Sequence, residues 1–188
     1  NASGKSPALM PTTIDGDIPS VGWLPVTVPG QISGWVMLHE RFGALDFIEL
    51  FEPAIRYARD GFLVSHQTAT RWKNGTERFR TQQAWCDTFL FDGKAPDVGQ
   101  LVKLPDHAST LQDIADTKGE SFYRGTLAQQ IDIASKEGGG FIRAEDLASH
   151  TSQWVTPLAV HVGDAKFYEL PPNSQGIAAL IAMEIVQA

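Results

Sequence analysis

Apolar residues recur at the three-to-four-residue spacing of an amphipathic helix in several separate parts of the chain. The first such pattern predicts a helix over residues 32–42, with Trp35 and Leu38 on its apolar face. Gly43 follows in the place of a C-terminal cap. Residues 1–31 contain five prolines among many glycines, serines and threonines, which favours extended segments and turns over helix.

A second apolar pattern is interrupted by a proline. Residues 46–51 predict a short helix, and a separate helix is predicted to begin at Pro53, because the missing proline N–H costs nothing at a first helical position. Ala54, Ile55 and Ala58 would form its buried face, and Gly61 would end it.

The segments that follow give weaker and then clearer patterns. Residues 64–100 are irregular, with helical stretches and a predicted strand that enters a turn over residues 89–94. Three helical patterns come later in the chain. They cover 108–118 after Pro105, 127–136 with Leu127, Ile131 and Ala134 facing inward, and 144–148.

Strand patterns concentrate near the end of the chain. Residues 155–162 and 165–170 read as two strands joined at Gly163 and Asp164, which predicts a hairpin, and a helix follows from Gly176. An earlier run, 23–28, has β character, but Pro25 would confine it to an edge. The predicted order is mostly helices, followed by two strands and a final helix. This order is typical of an α/β or α+β domain, here with a helix-rich middle.

Composition narrows the class of protein. The chain has 188 residues, a net charge of -7 and a pI near 5.1, which argues against a nucleic-acid partner because phosphate neutralisation needs a basic face. No apolar run approaches the roughly 18 residues of a membrane span. The last segment, 176–188, is apolar on nearly all sides and shows no end signal, so we expect the chain to be a single partial domain of a longer protein.

The corner before that last helix holds the candidate site. Ser174 has Gly176 two residues later, as a nucleophile elbow requires, but Pro172 stands where a second small residue belongs. Ser174 or Asn173 as a helix cap is the better interpretation. Alternatively, the helix N-terminus lines a pocket and faces an anion. The candidate substrate-binding residues are Asn173, Ser174, Gln175 and Gly176.

Other candidate chemistry is weak. His39 and Glu40 begin a zinc-protease pattern, but Gly43 stands where its second histidine should be, and the remaining histidines are scattered, so no metal site is expected. Cys86 is the lone cysteine and is interpreted as a packing residue. From residue chemistry alone, the sequence predicts no catalytic constellation.

Several short motifs nevertheless resemble the landmarks of one family in the right order. The matching stretches are residues 1–7, 28–35, 41–43, 52–62, 122–125, 139–141, 145–147 and 171–176. They are similar to the VPG opening, the PAI helix, and the FY.G, GG, DL and PPPSSGG motifs of the gamma-glutamyltranspeptidase family. The resemblance covers essentially the whole chain.

This resemblance implies an N-terminal-nucleophile hydrolase with a four-layer αββα sandwich fold. Such a precursor cuts itself into a large and a small subunit, and the threonine freed at the start of the small subunit attacks a γ-glutamyl amide. The implied partners are a small γ-glutamyl or other amide substrate and the small subunit. No cofactor is implied, and a periplasmic or secreted location is typical, although cytoplasmic relatives exist.

Most of the residues that act in catalysis or substrate binding in this family have no equivalent in residues 1–188. The family's threonine, its carboxylate-binding arginine and its oxyanion glycines have no counterpart in residues 1–188, so no catalytic residue is expected in this chain, which resembles an internal part of the large subunit. Asn173 and Gln175 depart from the family's Ser-Ser-Gly-Gly, which leaves open an acylase acting on cephalosporin-type or other amides. A non-catalytic large-subunit remnant that works as a binding module is a further alternative.

Overall fold

The computed structural model describes residues 5–11 and 16–187. The remaining residues, 1–4, 12–15 and 188, lie outside this description. They include most of the family-like motif at residues 1–7. They also include Ala188, where the last helix was expected to lack cover. The described residues form nine helices, which are α1 Gln31–Phe42, α2 Phe47–Asp60, α3 His66–Phe79, α4 Gln83–Phe89, α5 Pro105–Asp116, α6 Glu120–Arg124, α7 Thr126–Glu137, α8 Ala144–Ala148 and α9 Gly176–Gln187. Four short strands accompany them, β1 Phe62–Leu63, β2 Leu101–Val102, β3 Leu158–Val162 and β4 Ala165–Glu169.

The strands pair as two separate antiparallel hairpins, β1 with β2 and β3 with β4. The helix-rich mixture of helices and strands confirms the predicted class. No helix in the described part of the chain is long and apolar enough to cross a bilayer.

Helices α1 to α8, with β1 and β2, form the part that we call the helical body, and α1, α2, α5, α6, α7 and α8 contribute to its main apolar core. Helix α2 packs against α5, and α6, α7 and α8 pack on one another. The buried core residues are Val28, Ile32, Phe47, Phe51, Ile55, Ala58, Ala108, Ile114, Ala115, Tyr123, Ala128, Ile142 and Leu147. Helix α1 and the glycine that follows it agree with the prediction.

The predicted break between two helices at Pro53 is wrong. The helix is continuous over Phe47–Asp60, and Pro53 lies inside it. It begins after Asp46, whose backbone N–H donates to the Glu49 carboxylate at 3.0 Å. The buried face of the helix continues on both sides of the proline through Phe47, Phe51, Ile55 and Ala58. Burial of that face therefore outweighs the one backbone hydrogen bond that Pro53 cannot make.

Two predicted strands are also wrong. Residues 23–28 form a turn closed by the Val26 N–H and the Trp23 carbonyl at 3.1 Å, and Val28 then pairs once, through its N–H, with the Lys5 carbonyl. Phe89 ends helix α4 instead of beginning a strand. The predicted turn after it does form, because Asp92 and Gly93 both have positive φ between the bridged residues Phe91 and Lys94.

Helix α7 is rotated relative to the prediction. Leu127 and Ile131 are partly buried against the core as expected, but Ala134 is exposed. The fully buried positions are instead Ala128 and Ser135, seven residues apart, so the inward face lies one residue further along the helix. Helix α8 has the predicted bounds.

The end of the chain forms a second, smaller assembly, which we call the C-terminal unit and define as residues 158–187. Strands β3 and β4 pair in register from Leu158 with Glu169 to Val162 with Ala165, which confirms the hairpin turn. Helix α9 packs on both strands. The apolar residues buried within this unit are Val160 and Leu180.

Candidate functional site

The predicted site residues lie on the surface at the turn that joins β4 to α9. Asn173, Ser174 and Gln175 are exposed, and Gly176 is the first residue of α9. The Ser174 hydroxyl donates to the Leu170 carbonyl at 3.4 Å, so it braces the turn, and a helix cap by Ser174 or Asn173 stays a prediction. The structure thus places these four residues together at one corner, and their role in substrate binding stays a prediction.

An anion does face the start of α9, and the chain itself supplies it. A Cβ atom at Gly176 would overlap the Glu169 side chain, because the Glu169 carboxylate lies directly against this glycine. A carboxylate is stabilised there by the partial positive charge of a helix N-terminus. A larger residue at position 176 would displace the flexible Glu169 side chain, which now occupies the place that a ligand anion would take.

Side chains with nucleophilic or metal-binding chemistry do not converge in the residues described. Cys86 Sγ contacts the backbone carbonyls of Phe79 and Arg80 at 3.9 and 3.6 Å. His39 Nε2 is hydrogen-bonded to the Leu45 carbonyl at 2.8 Å. Across 5–11 and 16–187, no three His, Cys, Asp or Glu residues are placed to hold a metal ion. Cys86 and His39 are therefore each engaged with backbone carbonyls and not with each other.

An apolar groove of about 470 Å³ runs between α1, α2 and α5. Its walls include Trp35, Phe42, Phe47, Phe51 and Leu111. Trp35 meets Phe51 edge to face at 5.8 Å between ring centroids. His39 is the polar side chain in its lining, and its ring nitrogen is already bonded. A groove with so few free polar groups lacks the convergent donors and acceptors that orient a polar substrate.

A smaller cavity of about 220 Å³ is polar and lies between α1, the α5–α6 turn, α6 and the segment after α8. Tyr123 and His150 line it and stack on each other, with 5.4 Å between ring centroids. The hydroxyls of Ser33 and Ser152 lie 2.6 Å apart at the same cavity. A second polar cavity, of about 300 Å³, lies between α5 and the start of α7 and is lined by Asp113 and Thr126 among others.

The electrostatics of the polar cavity follow from burial. Burial raises the pKa of Tyr123 above its ordinary value, with the Ser33 N–H acting in the opposite direction. Burial also lowers the pKa of His150, and the positive charge of Lys5 lowers it further. Both side chains are therefore neutral near pH 7.

The short motifs that resemble the family are hydrogen-bonded to one another in the structure. The Tyr123 hydroxyl donates to the Pro29 carbonyl at 2.8 Å and accepts from the Ser33 N–H at 3.1 Å, which ties α6 to the start of α1. The Asp146 carboxylate accepts from the Ala8 N–H at 2.8 Å and from the Arg143 N–H at 2.9 Å. These residues position the backbone of the helical body.

Sequence reasoning missed the polar cavity. His150 was one of several scattered histidines, and Tyr123 belonged to a motif with no assigned chemistry. The two rings meet because α6 and α8 pack on each other, and no periodic pattern encodes that contact. The available signal was a histidine two residues after a short helix, within the polar run Ser149 to Gln153.

Comparison with known proteins gives a consistent result. The family model for gamma-glutamyltranspeptidase matches residues 4–188. A glutathione hydrolase-like proenzyme from Bacillus subtilis is 30% identical over 162 residues, which is 86% of this chain and 31% of the relative. The crystal structure of a cephalosporin acylase from Bacillus halodurans superposes with a TM-score of 0.92 at 38% identity, covering 100% of this chain and 37% of that one.

A second solved structure, gamma-glutamyltranspeptidase from Helicobacter pylori, superposes with a TM-score of 0.87 at 28% identity. It covers 94% of this chain, and the match takes up 53% of the H. pylori chain. The chain thus spans about a third or less of the length of the curated relatives it matches.

Proposed function

The chain belongs to the gamma-glutamyltranspeptidase family, and on that basis we propose that residues 1–188 are the framework of the large subunit of a self-processing amide-cleaving enzyme. They form one partial domain of that subunit. The nucleophile is an N-terminal threonine located outside these residues, and the catalytic roles are carried by other parts of the full-length protein.

One observation carries the proposal: the family motifs of the helical body are engaged in structural contacts. The Tyr123 hydroxyl is hydrogen-bonded to Pro29 and Ser33, and both oxygens of the Asp146 carboxylate accept backbone N–H groups. A buried polar group with all its partners inside the fold stabilises one arrangement of the backbone. Such groups are suited to hold a scaffold.

In the proposed reaction, the N-terminal threonine supplies both the nucleophile, its hydroxyl, and the base, its α-amine. The threonine α-amine removes the hydroxyl proton as the hydroxyl oxygen attacks the amide carbonyl, and backbone N–H groups stabilise the oxyanion. The C–N bond then breaks, the leaving amine takes the proton, and an acyl ester remains on the threonine. Water or an amino acid attacks that ester, which regenerates the threonine and releases the acyl group as an acid or a new amide.

The substrate is proposed to be a γ-glutamyl amide of the glutathione type, as the names of the curated relatives indicate for those proteins. A second candidate, an acylase that acts on cephalosporin-type or other amides, is favoured by one observation. The chain is 38% identical to the cephalosporin acylase and superposes on it with a TM-score of 0.92. Initial rates on a γ-glutamyl anilide and on a glutaryl amide, measured with the full-length protein, separate the two candidates.

The partner proposed for the C-terminal unit is the small subunit of the same precursor. Every residue of β4 is exposed, and so are three apolar residues of α9, Ile181, Ile185 and Val186. A two-stranded hairpin is marginal in water by itself, and an exposed edge strand pairs readily with further strands. A sheet contributed by the small subunit would both extend the hairpin and cover α9.

This partner can be tested with one matched pair of variants. Ile185→Lys places a charge on the exposed face of α9, and Ile133→Lys places one on exposed α7 of the helical body. We expect the small subunit to be lost from the purified full-length protein in the first variant and retained in the second. Equal retention in both variants would remove the partner assignment.

The four predicted site residues are proposed to line the substrate pocket of the assembled enzyme. If the Asn173 and Gln175 side chains each donate one hydrogen bond to the substrate, their replacement by Ala should raise KM by roughly 2- to 10-fold. Ser174→Ala serves as the comparison, because its hydroxyl is directed to the Leu170 carbonyl. Unchanged KM in all three variants would exclude these residues from the pocket.

Self-processing is the direct test of the proposed function. We expect the purified full-length precursor to convert into two fragments, with threonine at the new N-terminus, and amide cleavage to develop in parallel. Replacing that threonine by Ala should stop both processes. A precursor that never splits, or activity that survives the replacement, would contradict the proposal and favour a non-catalytic binding module.

A further inference from the structure

The apolar groove between α1, α2 and α5 has no role in the framework contacts or in the chemistry proposed above. We propose that this groove docks an amphipathic helix from the part of the same precursor that lies outside residues 1–188. This inference rests on the proposed function, because it requires that these residues belong to a longer precursor. The groove, of about 470 Å³, is then an internal docking site of the assembled enzyme and not a substrate pocket.

Each of the two main walls of the groove is a stripe of apolar side chains about two helical turns long. The stripe on α1 consists of Trp35, Leu38 and Phe42, and the stripe on α2 consists of Phe47, Leu50 and Ala54. Seven residues of helix span about 10 Å, so both walls match the length of two turns of a docked helix. Grooves of this kind bind a helix through apolar anchors at positions i, i+3 or i+4, and i+7.

Both helices have more apolar surface than the helical body covers. On α1, Ile32 and Val36 pack on the core, whereas Leu38 and Phe42 on another side of the helix are 50% and 66% exposed. On α2, Leu50 is also 50% exposed. A helix that is apolar on more than one side is normally covered on more than one side. The sides of α1 and α2 that line the groove are therefore suited to a further element of the fold.

An aromatic cluster with a stacked arginine lies at the end of the groove where α1 stops. The Arg41 guanidinium lies 4.5 Å from the ring centroid of Trp154 and 5.1 Å from that of Phe42. The two rings meet edge to face at 5.8 Å. Within residues 5–11 and 16–187, Arg41 forms no ion pair. Tryptophan and arginine often dominate the binding energy of protein interfaces, so this end is suited to a docked residue with a carboxylate.

The walls are held in place without a docked helix. His39 Nε2 is hydrogen-bonded to the Leu45 carbonyl at 2.8 Å, and its ring meets Phe47 at 5.2 Å between centroids. Trp35 meets Phe51 across the same pair of helices at 5.8 Å. These contacts fix α1 relative to α2. A preformed groove loses little entropy when a partner binds, which favours docking.

The length of chain outside residues 1–188 indicates where the docked helix comes from. This chain covers 31%, 26% and 26% of three curated relatives, so more than two thirds of each relative lies outside the match. A segment tethered to the same molecule has an effective concentration that reaches the millimolar range. A second copy of the protein does not reach that concentration in dilute solution. A helix of the same precursor therefore occupies the groove in preference to a second copy.

The test uses the full-length protein with the photo-crosslinking amino acid p-benzoylphenylalanine in place of Leu38. The matched control carries it in place of Glu77, which is 81% exposed on the polar helix α3. After irradiation, crosslinked peptides are identified by mass spectrometry. We expect position 38 to crosslink with a segment outside residues 1–188, and position 77 to give about tenfold less of such product, because no segment is held against it.

Isotope mixing shows which molecule supplies the segment. Equal amounts of ¹⁵N-labelled and unlabelled protein are mixed before irradiation, and docking within one molecule joins peptides of one label only. The segment should carry apolar residues at helical spacing and an Asp or Glu near one end. Peptide pairs of mixed label, crosslinks that stay within residues 1–188, or a crosslinked segment that is polar throughout would each overturn the proposal.

Self-processing is measured on the same samples, so that the two proposals fail in different ways. A protein that splits normally but gives no crosslink from position 38 to the rest of the precursor contradicts the docking site alone. A protein that gives this crosslink but never splits contradicts the proposed function and supports the docking site.

Substitutions on the opposite wall of the groove test the same contact. Leu50→Lys places an ammonium group in the apolar groove and should lower the crosslink yield from position 38 roughly fivefold. Leu50→Met keeps an apolar side chain of similar volume and should retain the yield. Both variants should fold, because Leu50 is half-exposed in the helical body. Equal yields in the Lys and Met variants would also overturn the proposal.

Discussion

The helical body and the C-terminal unit differ in how completely they bury their apolar residues. The body encloses a contiguous core to which α1, α2, α5, α6, α7 and α8 all contribute. The unit buries Val160 and Leu180 but exposes apolar side chains on β4 and α9, with Val186 86% exposed. An apolar helix packed on a two-stranded sheet is stable only when further surface covers it.

This difference indicates what each region is for. In the body, polar side chains are engaged with backbone groups of the same region, as with Tyr123 and Asp146. In the unit, backbone edges and apolar side chains are left open. The body also exposes apolar side chains, with Phe42 66% and Leu63 69% exposed, so the two regions differ in the presence of a contiguous core and not in surface exposure alone. We infer that the body supports itself through that core and that the unit, which buries few apolar residues, depends on further surface to cover it.

The largest expected effect separates a buried leucine of the body from an exposed isoleucine of the unit. Leu147 is 0% exposed and Ile185 is 69% exposed. Leu147→Ala should lower the free energy of unfolding of the chain by about 2–5 kcal/mol, because it leaves a cavity in the core. Ile185→Ala should change it by less than about 0.5 kcal/mol. Equal losses in urea unfolding would mean that the two regions share one core.

A smaller effect is expected at the carboxylate that anchors the N-terminal segment to α8. Asp146→Ala leaves the N–H groups of Ala8 and Arg143 without their acceptor and should cost about 1–3 kcal/mol. Asp146→Asn keeps one acceptor oxygen and should cost less. Hydrogen exchange at the Ala8 amide should accelerate in the Ala variant. Unchanged exchange there would show that this carboxylate does not hold the segment.

The next expected effect is a decrease in the stability of the helical body at acidic pH, caused by His150. The pKa of His150 in the folded chain lies below its ordinary value of 6.5, mainly through burial. The unfolded chain therefore binds more protons, so this contribution to stability is full above about pH 6.5 and is lost as the pH falls through the lower folded value. Groups around the ring include Tyr123 from α6 and Lys5 from the N-terminal segment.

His150→Phe removes this titration. Between about pH 7 and pH 5 the variant should lose less unfolding free energy than the parent chain, as measured by urea unfolding at each pH. Identical slopes for the two proteins would show that His150 does not contribute to the pH dependence.

The smallest effect is expected in the C-terminal unit at Ser174. Its hydroxyl bonds the Leu170 carbonyl at 3.4 Å on an exposed surface, so Ser174→Ala should alter the unfolding free energy by less than about 0.5 kcal/mol. Activity of the full-length enzyme should persist in this variant. Complete loss of chemistry with an intact fold would make Ser174 a catalytic residue and reverse the comparison between the two regions.

Much of the fold could be predicted from local signals. Helix α8 and the β3–β4 turn follow directly from apolar periodicity and glycine placement. The errors arise where tertiary packing overrides a local preference. Pro53 would begin a helix in isolation, but the buried face that spans it keeps α2 continuous. Ala134 and Ser135 exchange burial because the docking of α7 fixes its rotation, and sequence alone does not.

The candidate sites also differ in whether local sequence or tertiary packing determines them. The corner at 173–176 could be located from sequence because it lies between a strand and a helix that are adjacent in the chain. The polar cavity could not, because Ser33, Tyr123 and His150 come from separate elements that meet only in the folded body.

The central claim is that the 188 residues are framework and that the bond-breaking group lies outside them. Its most direct test is to trap the acyl-enzyme of the full-length protein with a slowly deacylating γ-glutamyl substrate and to locate the adduct by peptide mass spectrometry. We expect the added mass on the N-terminal threonine of the small subunit. An adduct on any peptide from residues 1–188, Ser174 included, would contradict the account.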